Sequence, residues 1–157
     1  MADLVTLQSD DWETWRAIRL RSLLDSPVGF GSTHERECRF TADDWRERLR
    51  QGTRVVVIAD GRPVALGGGF PMGGTAMVFG MWTDPGHRGR GHATAILDHV
   101  VEWARGLGLP VALHVNLANP GARATYERYG FVATGELEPL RPGSEQQIEL
   151  MRLPDER

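Results

Sequence analysis

One stretch of this sequence joins a strand, a glycine-rich turn and a long helix without any spacer. Residues 75–83 form a mostly apolar run that ends at Asp84-Pro85-Gly86, which is typical of a strand followed by a turn. Beyond the turn, one helical face is marked by apolar residues at Ala93, Ile96, Leu97, Val100, Val101, Ala104 and Leu107. A second strand at 111–115 and a second helix at 119–129 follow directly. This order predicts helices packed against a sheet.

The rest of the chain predicts further strands and two more helices. The sequence favours helices that begin near Trp12 and over 42–51, after a short strand at 4–8. Asp60-Gly61 predicts a hairpin turn between two strands, and the glycines at 67–69 indicate a bulge or a close backbone approach. Strands near 131–137 and 146–153, joined by a polar loop, complete a single domain over 1–157.

Charge and cysteine content exclude several classes of protein. The formal net charge of −3 gives no general attraction for nucleic acid or anionic lipid, so we expect neither as a partner. No apolar stretch is long enough to cross a bilayer, which favours a cytoplasmic location. The one cysteine, Cys38, cannot form an internal disulfide, and the five histidines lack a metal-binding spacing. Any anion must therefore be bound by a local site and not through the overall charge of the protein.

The segment from Asp84 to Thr94, DPGHRGRGHAT, has the features of an anion-binding site. Its glycines allow backbone N–H groups to line a concavity, and the following helix adds the unpaired donors of its first turn. Two families of phosphate-binding loop fit poorly. No GK[ST] triplet occurs, and Thr94 stands where a dinucleotide-binding GxGxxG or GxGxxA motif requires Gly or Ala. A plain strand-to-helix turn with solubilising arginines remains the structural alternative.

Here the sequence resembles the GNAT N-acetyltransferase superfamily. The family's cofactor motif is Arg or Gln, two residues, Gly, one residue, then Gly or Ala, and it is matched by Arg88-Gly89-Arg90-Gly91-His92-Ala93. The family's second signature appears as Asn119, Ala122, Tyr126 and Gly130-Phe131. The resemblance covers about residues 54–135 closely.

The resemblance implies an α/β (α+β) fold of one GNAT-type domain. We expect a mixed sheet of six to seven strands with about four helices, splayed between two central parallel strands at 75–83 and 111–117. Acetyl-CoA would bind in the gap as the acyl donor. The residues expected to bind it are Met81, Trp82 and Thr83 on the strand, Arg88, Gly89, Arg90, Gly91, His92, Ala93 and Thr94 in the loop, and Asn119 and Ala122.

Two residues are predicted to move protons. Tyr126 shares a helical face with Asn119, and the resemblance makes it the general acid for the departing thiolate; the alternative is an interior aromatic beside an N-cap. A lysine-like amine is neutral at pH 7 in only about one molecule in 2,500, so a base or a water chain must remove its proton. Residues 75–83 contain no carboxylate that could act as the base. The resemblance places the loop between the first two helices beside the acceptor, which makes Glu35 and then Glu37 the preferred bases, with His34, His114 and Asp84 as weaker candidates.

The function predicted from the sequence is direct acetyl transfer from acetyl-CoA to a primary amine of a small molecule or peptide. A catalytically inactive CoA-binding sensor is the alternative, favoured by the missing carboxylate. The acceptor is expected between the loops at 26–41 and 138–145. Glu35, Glu37, Glu138 and Glu145 in these loops favour a cationic acceptor, but Arg36, Arg39 and Arg141 weaken this signal, and a peptide N-terminus, a polyamine, an antibiotic amine or an amino acid all stay open. We expect a monomer or a homodimer, and no metal.

Overall fold

The computed structural model describes residues 2–27 and 29–155, which form a seven-stranded mixed sheet. The strands follow the order β1-β2-β3-β4-β5-β7-β6, and only β4 and β5 are parallel neighbours among the described pairs. The predicted mixed sheet is therefore confirmed. The strands are β1 Ala2–Thr6, β2 Thr53–Ala59, β3 Arg62–Met72, β4 Thr75–Thr83, β5 Val111–Asn116, β6 Val132–Pro139 and β7 Gln147–Leu153.

Five α-helices are present in the described residues, one more than the sequence predicted. They are α1 Trp12–Asp25, α2 His34–Glu37, α3 Ala42–Leu49, α4 His92–Gly106 and α5 Pro120–Tyr129. The additional one, α2, is a single turn in a segment expected to be a loop. The Thr33 hydroxyl caps it by accepting a hydrogen bond from the Arg36 amide at 3.2 Å. A helix this short leaves no periodic pattern in the sequence.

The turns follow the glycine signals. Asp60 and Gly61 both have positive φ angles, 55° and 76°, as the hairpin between β2 and β3 requires. The glycines at 67–69 coincide with a register shift between β3 and β4, as predicted, and side chains of α4 pack directly over two of them, Gly67 and Gly69. A Cβ at Gly67 would lie 2.7 Å from Ile96 Cγ2, and one at Gly69 would lie 2.7 Å from Val100 Cγ1. Only glycine admits α4 this close to the sheet.

The sheet buries a different core on each face. The α4 face is aliphatic, and its buried members include Val55, Val57, Val64, Ile96, Leu97, Val100, Leu113, Val115, Phe131 and Met151. The α1 face, covered by α1 and α3, is rich in aromatic residues and includes Trp15, Ile18, Leu23, Phe30, Trp45, Leu49, Val56, Leu66 and Trp82. Among the described helices, none combines the length and the apolar character needed to cross a membrane.

Candidate active site

The central strands β4 and β5 separate soon after they meet. Their parallel pairing is confined to Ala76 with Val111 and Met77 with Ala112, although β4 continues to Thr83 and β5 to Asn116. The predicted splay is confirmed. Along the second half of β4, the edge that faces β5 therefore has no strand to pair with. Backbone N–H and C=O groups of this kind are available to a ligand.

A β-bulge interrupts β4 beside this opening. Trp82 pairs with Leu66 and Phe79 with Gly68, so that Gly80 and Met81 together face the single residue Gly67. Gly80 adopts φ of 70°, the left-handed conformation that a glycine allows in a bulge. The extra residue takes backbone groups out of the ladder with β3. The bulge thus adds free polar backbone at the mouth of the opening.

The first turn of α4 begins one short loop after β4. Gly91 is its N-cap, with φ of 83° and no side-chain capping bond, and the amides of His92, Ala93 and Thr94 occupy the first turn. These N–H groups have no acceptor within the helix, and the helix dipole adds positive potential there. A Cβ at Gly89 or Gly91 would meet no atom within 4 Å, so the space above the loop is open. This geometry suits an anion such as a diphosphate.

The side chains of the predicted cofactor residues face in different directions. Trp82 turns its indole into the α1 face and donates to Asp25 Oδ2 at 2.8 Å. Arg88 donates from Nε to the carbonyl oxygen of Thr83 at 2.9 Å and from Nη2 to Asp25 at 3.2 Å. The Trp82 hydrogen bond, with help from Arg88, lowers the pKa of Asp25. The side chain of Arg88 thus anchors the loop to α1, and its backbone amide is left to face a ligand above the loop.

Tyr126 and Asn119 lie at opposite ends of α5. The ring of Tyr126 is half-buried against the α4 face and meets Phe131 edge to face, with ring centroids 6.0 Å apart. Burial raises the pKa of its hydroxyl to about 12, so the group stays protonated at neutral pH. Asn119 caps the helix, because its Oδ1 accepts from the Ala122 amide at 3.1 Å.

The candidate bases differ in their surroundings. Glu35 lies on α2 with its side chain 83% exposed, 3.5 Å from Arg39. Glu37, two residues later, is buried and forms a bidentate pair with Arg19, both distances being 3.0 Å. Although burial opposes ionisation, Arg19 holds the pKa of Glu37 below its usual value. Glu37 is thus an ionised structural partner of Arg19.

His114 belongs to the part of β5 that has left β4. Its Nε2 lies 3.5 Å from Glu138 Oε1, and its side chain is 29% exposed. Its neighbours Leu113 and Val115 point into the α4 face, so the alternation of the strand directs His114 to the α1 side. The backbone of His114 therefore borders the opening, while its imidazole lies on the α1 side and reaches toward Glu138 of β6.

The α1 face also holds buried guanidinium groups that the sequence analysis missed. Arg54, on β2, is only 6% exposed and lies over the Phe79 ring with 4.7 Å between Cζ and the centroid. Burial, together with the nearby Arg48 and Arg19, lowers the pKa of Arg54 to about 10. A signal for Arg19 existed in the sequence, since it follows buried Trp15 by four residues on the inner stripe of α1.

Comparison with known proteins gives the same family as the motifs. The sequence model of the Acetyltransferase (GNAT) family matches residues 5–131. Mycothiol acetyltransferase of Clavibacter sepedonicus is 32% identical over 114 residues, which are 66% of this chain and 37% of that protein. The chain thus spans less than half the length of this relative.

Solved structures share the fold over nearly the whole chain. An acetyltransferase of the GNAT family from Streptococcus pneumoniae superposes with a TM-score of 0.82 at 15% identity, covering 97% of this chain and 98% of that one. PaiA N-acetyltransferase from Thermoplasma acidophilum, in complex with coenzyme A, gives a TM-score of 0.74 at 13% identity, covering 97% and 99%. At these identities the likeness establishes the architecture.

Proposed function

This chain belongs to the Acetyltransferase (GNAT) family, and we propose that it transfers an acetyl group from acetyl-CoA directly to a primary amine of a small molecule or peptide. The observation that carries the proposal is the opening between β4 and β5, with the first turn of α4 close behind it. This arrangement offers unpaired backbone to an extended thioester arm and unpaired amides to its diphosphate.

The loop and α4 supply the donors for the diphosphate. Backbone N–H groups of Arg88, Gly89, Arg90 and Gly91, with those of His92, Ala93 and Thr94, would contact its oxygens. Each charge-assisted bond contributes about 1.5–3 kcal/mol, so three or four hold a diphosphate despite the net negative charge of the protein. The backbone of Met81, Trp82 and Thr83 would bind the pantetheine arm, with Asn119 and Ala122 across the opening. The thioester supplies an acyl carbon that is open to attack.

Tyr126 would act as the general acid. As the amine nitrogen bonds to the acyl carbon, the carbon–sulfur bond breaks and the Tyr126 hydroxyl gives its proton to the departing thiolate. A hydroxyl whose pKa is about 12 is fully protonated at neutral pH and remains available for this step. The edge-to-face contact with Phe131 supports this role by restricting the motion of the ring.

The base that takes the proton of the amine is His114 or Glu35. We favour His114, because it lies on the part of β5 that borders the opening, whereas the Glu35 side chain is 83% exposed beside Arg39. Replacement of the base should lower kcat/KM by about 10²-fold or more, and raising the pH should partly restore the rate. His114→Gln and Glu35→Gln, measured side by side across pH, identify which residue carries this role.

The proposed reaction is tested by thiol release from acetyl-CoA with a panel of amines. We expect turnover with at least one primary amine and calorimetric binding of CoA. Gly91→Val should abolish CoA binding, since valine cannot readily adopt φ of 83° and its side chain would enter the open space above the loop.

Gly106→Ala, at the other end of α4, is the matched control and should bind CoA normally. Binding of CoA without turnover on any amine would favour the alternative of an inactive CoA-binding module. Failure of the wild-type protein to bind CoA would refute both.

A further inference from the structure

Buried positive charge on the α1 face exceeds buried negative charge among the described residues. Arg19 and Arg54 are both enclosed, and Arg48 is near enough to Arg54 to lower its pKa. Glu37 is the buried carboxylate that faces them, and it is fully engaged by Nε and Nη2 of Arg19. A protein interior rarely keeps such an excess without an anion to balance it.

Two nitrogens of this cluster have no acceptor in the described part of the chain. Arg19 Nη1 is buried and has no hydrogen-bond partner in the described part of the chain, and the same holds for Arg54 Nε. Burying a charged donor in this state destabilises the fold, and such a group commonly marks a place where a ligand supplies the acceptor. The surroundings of Arg19 Nη1 indicate the chemical class of this ligand.

Arg19 Nη1 is aimed at the bulge in β4. A Cβ built on Gly80 would lie 3.6 Å from this nitrogen and 3.9 Å from Trp15 Cη2. Gly80 directly precedes Met81, the first of the residues that we expect to contact the pantetheine arm. An anionic group held by Nη1 would therefore lie beside the stretch of β4 that we expect to bind the pantetheine arm. The Phe30 ring lies against the face of the guanidinium group, 4.9 Å from Arg19 Cζ.

We propose that Arg19 is the specificity-determining residue for the acceptor, and that it binds a carboxylate attached close to the reacting amine, as in an amino acid. This inference rests on the proposed acetyl transfer. The carboxylate would complete the hydrogen bonding of Nη1 and balance the buried charge. A polyamine would meet the guanidinium groups with like charge and be rejected. Three of the four glutamates that suggested a cationic acceptor lie beside basic side chains instead: Glu37 beside Arg19, Glu35 beside Arg39 and Glu138 beside His114.

The test compares amino acids with the amines that remain when their carboxyl group is removed. L-Phenylalanine against 2-phenylethylamine, and L-leucine against 3-methylbutylamine, are assayed for acetyl transfer with kcat/KM expressed per neutral amine. We expect the wild-type protein to prefer the amino acid about tenfold or more in each pair, and to prefer both amino acids over spermidine. Equal rates within both pairs would overturn the proposal.

Variants connect the preference to Arg19. The double variant Arg19→Gln, Glu37→Gln removes the charges together, so that no unpaired carboxylate is left buried, and its preference should fall to about one. Arg16→Gln, three residues earlier on α1, is the matched control and should keep the preference. If thermal melting shows that the double variant does not fold, Arg19→Lys keeps the charge beside Glu37 but loses Nη1, and should also weaken the preference. A preference that survives loss of Nη1 would contradict the assignment.

Product binding separates this proposal from the proposed function. If no amine is acetylated, the transfer proposal fails, and calorimetry with N-acetyl-L-phenylalanine and N-(2-phenylethyl)acetamide then decides on Arg19. Tighter binding of the acid, lost in the double variant, supports a carboxylate site at Arg19. Equal binding of the two compounds, or none, excludes it.

Discussion

The two faces of the sheet bury their residues in different ways. The α4 face is an aliphatic core of closely packed side chains, in which α4 packs directly against glycines of β3. The α1 face mixes tryptophan and phenylalanine rings with buried guanidinium groups, two of which keep a donor without an acceptor. Unsatisfied charge is costly in an interior, whereas dense aliphatic packing is stabilising. This difference fits our proposals that the α4 face supports the cofactor loop and that the α1 face recognises the acceptor.

The largest expected effect concerns the one residue of the α4 face that we assign to chemistry. Tyr126→Phe should lower kcat by about 10²–10⁴-fold while CoA affinity changes little, because only the proton donor is removed. Since burial raises the pKa of this hydroxyl to about 12, its ionisation should cause no loss of rate below about pH 10. Steady-state kinetics across pH and calorimetry with CoA make the measurement. An unchanged kcat would confine the α4 face to a structural role.

A core truncation on α4 tests the structural role itself. Leu97 is fully buried, so Leu97→Ala should lower the free energy of unfolding by about 2–5 kcal/mol, through lost transfer energy and the cavity left behind. Glu102→Ala, on the exposed side of the same helix, is the control and should change it by less than about 0.5 kcal/mol. Urea denaturation gives both values. Equal effects would mean that α4 is not held by its aliphatic face.

The ion pair on the α1 face should make stability depend on acid pH. Glu37 has a folded-state pKa below its usual value, so its contribution is present above about pH 4.5 and is lost as the pH falls through the lower folded value. Glu37→Gln should destabilise the protein by about 1–3 kcal/mol at neutral pH and reduce the loss of stability on acidification. Glu35→Gln, two residues away and exposed, serves as the control. If both variants keep the wild-type acid dependence, the pair with Arg19 contributes no such linkage.

The smallest effect is expected where a buried residue is electrostatically unfavourable. Arg54→Met removes a guanidinium whose charged form is penalised by burial and by Arg48 and Arg19, while it keeps a long side chain against Phe79. The lost hydrogen bond to the Gln51 carbonyl offsets the gain, so the free energy of unfolding should change by only about 1 kcal/mol. A loss as large as that of Leu97→Ala would show that the charge on the α1 face stabilises the fold.

Local signals in the sequence predicted most of the fold. The hairpin at Asp60 and Gly61, the apolar stripe of α4 and the cap at Asn119 depend on residues close together in the chain, and the structure has all three. The bulge at Gly80 was missed although a glycine inside a strand signals one.

The polar contacts of the α1 face and of the loop before α4 were harder to predict because they join distant segments. Arg19 meets Glu37 across 18 residues, and Arg88 meets Asp25 across 63. No spacing rule links such pairs, so the sequence predicted neither the pairing of Glu37 with Arg19 nor that of Arg88 with Asp25. The donors of the cofactor loop, by contrast, follow from glycine and helix geometry within a few residues.

The short pairing of β4 with β5 has a consequence for the behaviour of the protein in solution. A strand at the centre of the sheet behaves along half its length as an unprotected edge, and such edges template intermolecular β-structure. Other sheets shield their outermost strands against this hazard, whereas here the vulnerable stretch lies in the middle. A cosubstrate bound in the opening would cover this edge. It should therefore slow aggregation in proportion to the fraction of protein that has it bound.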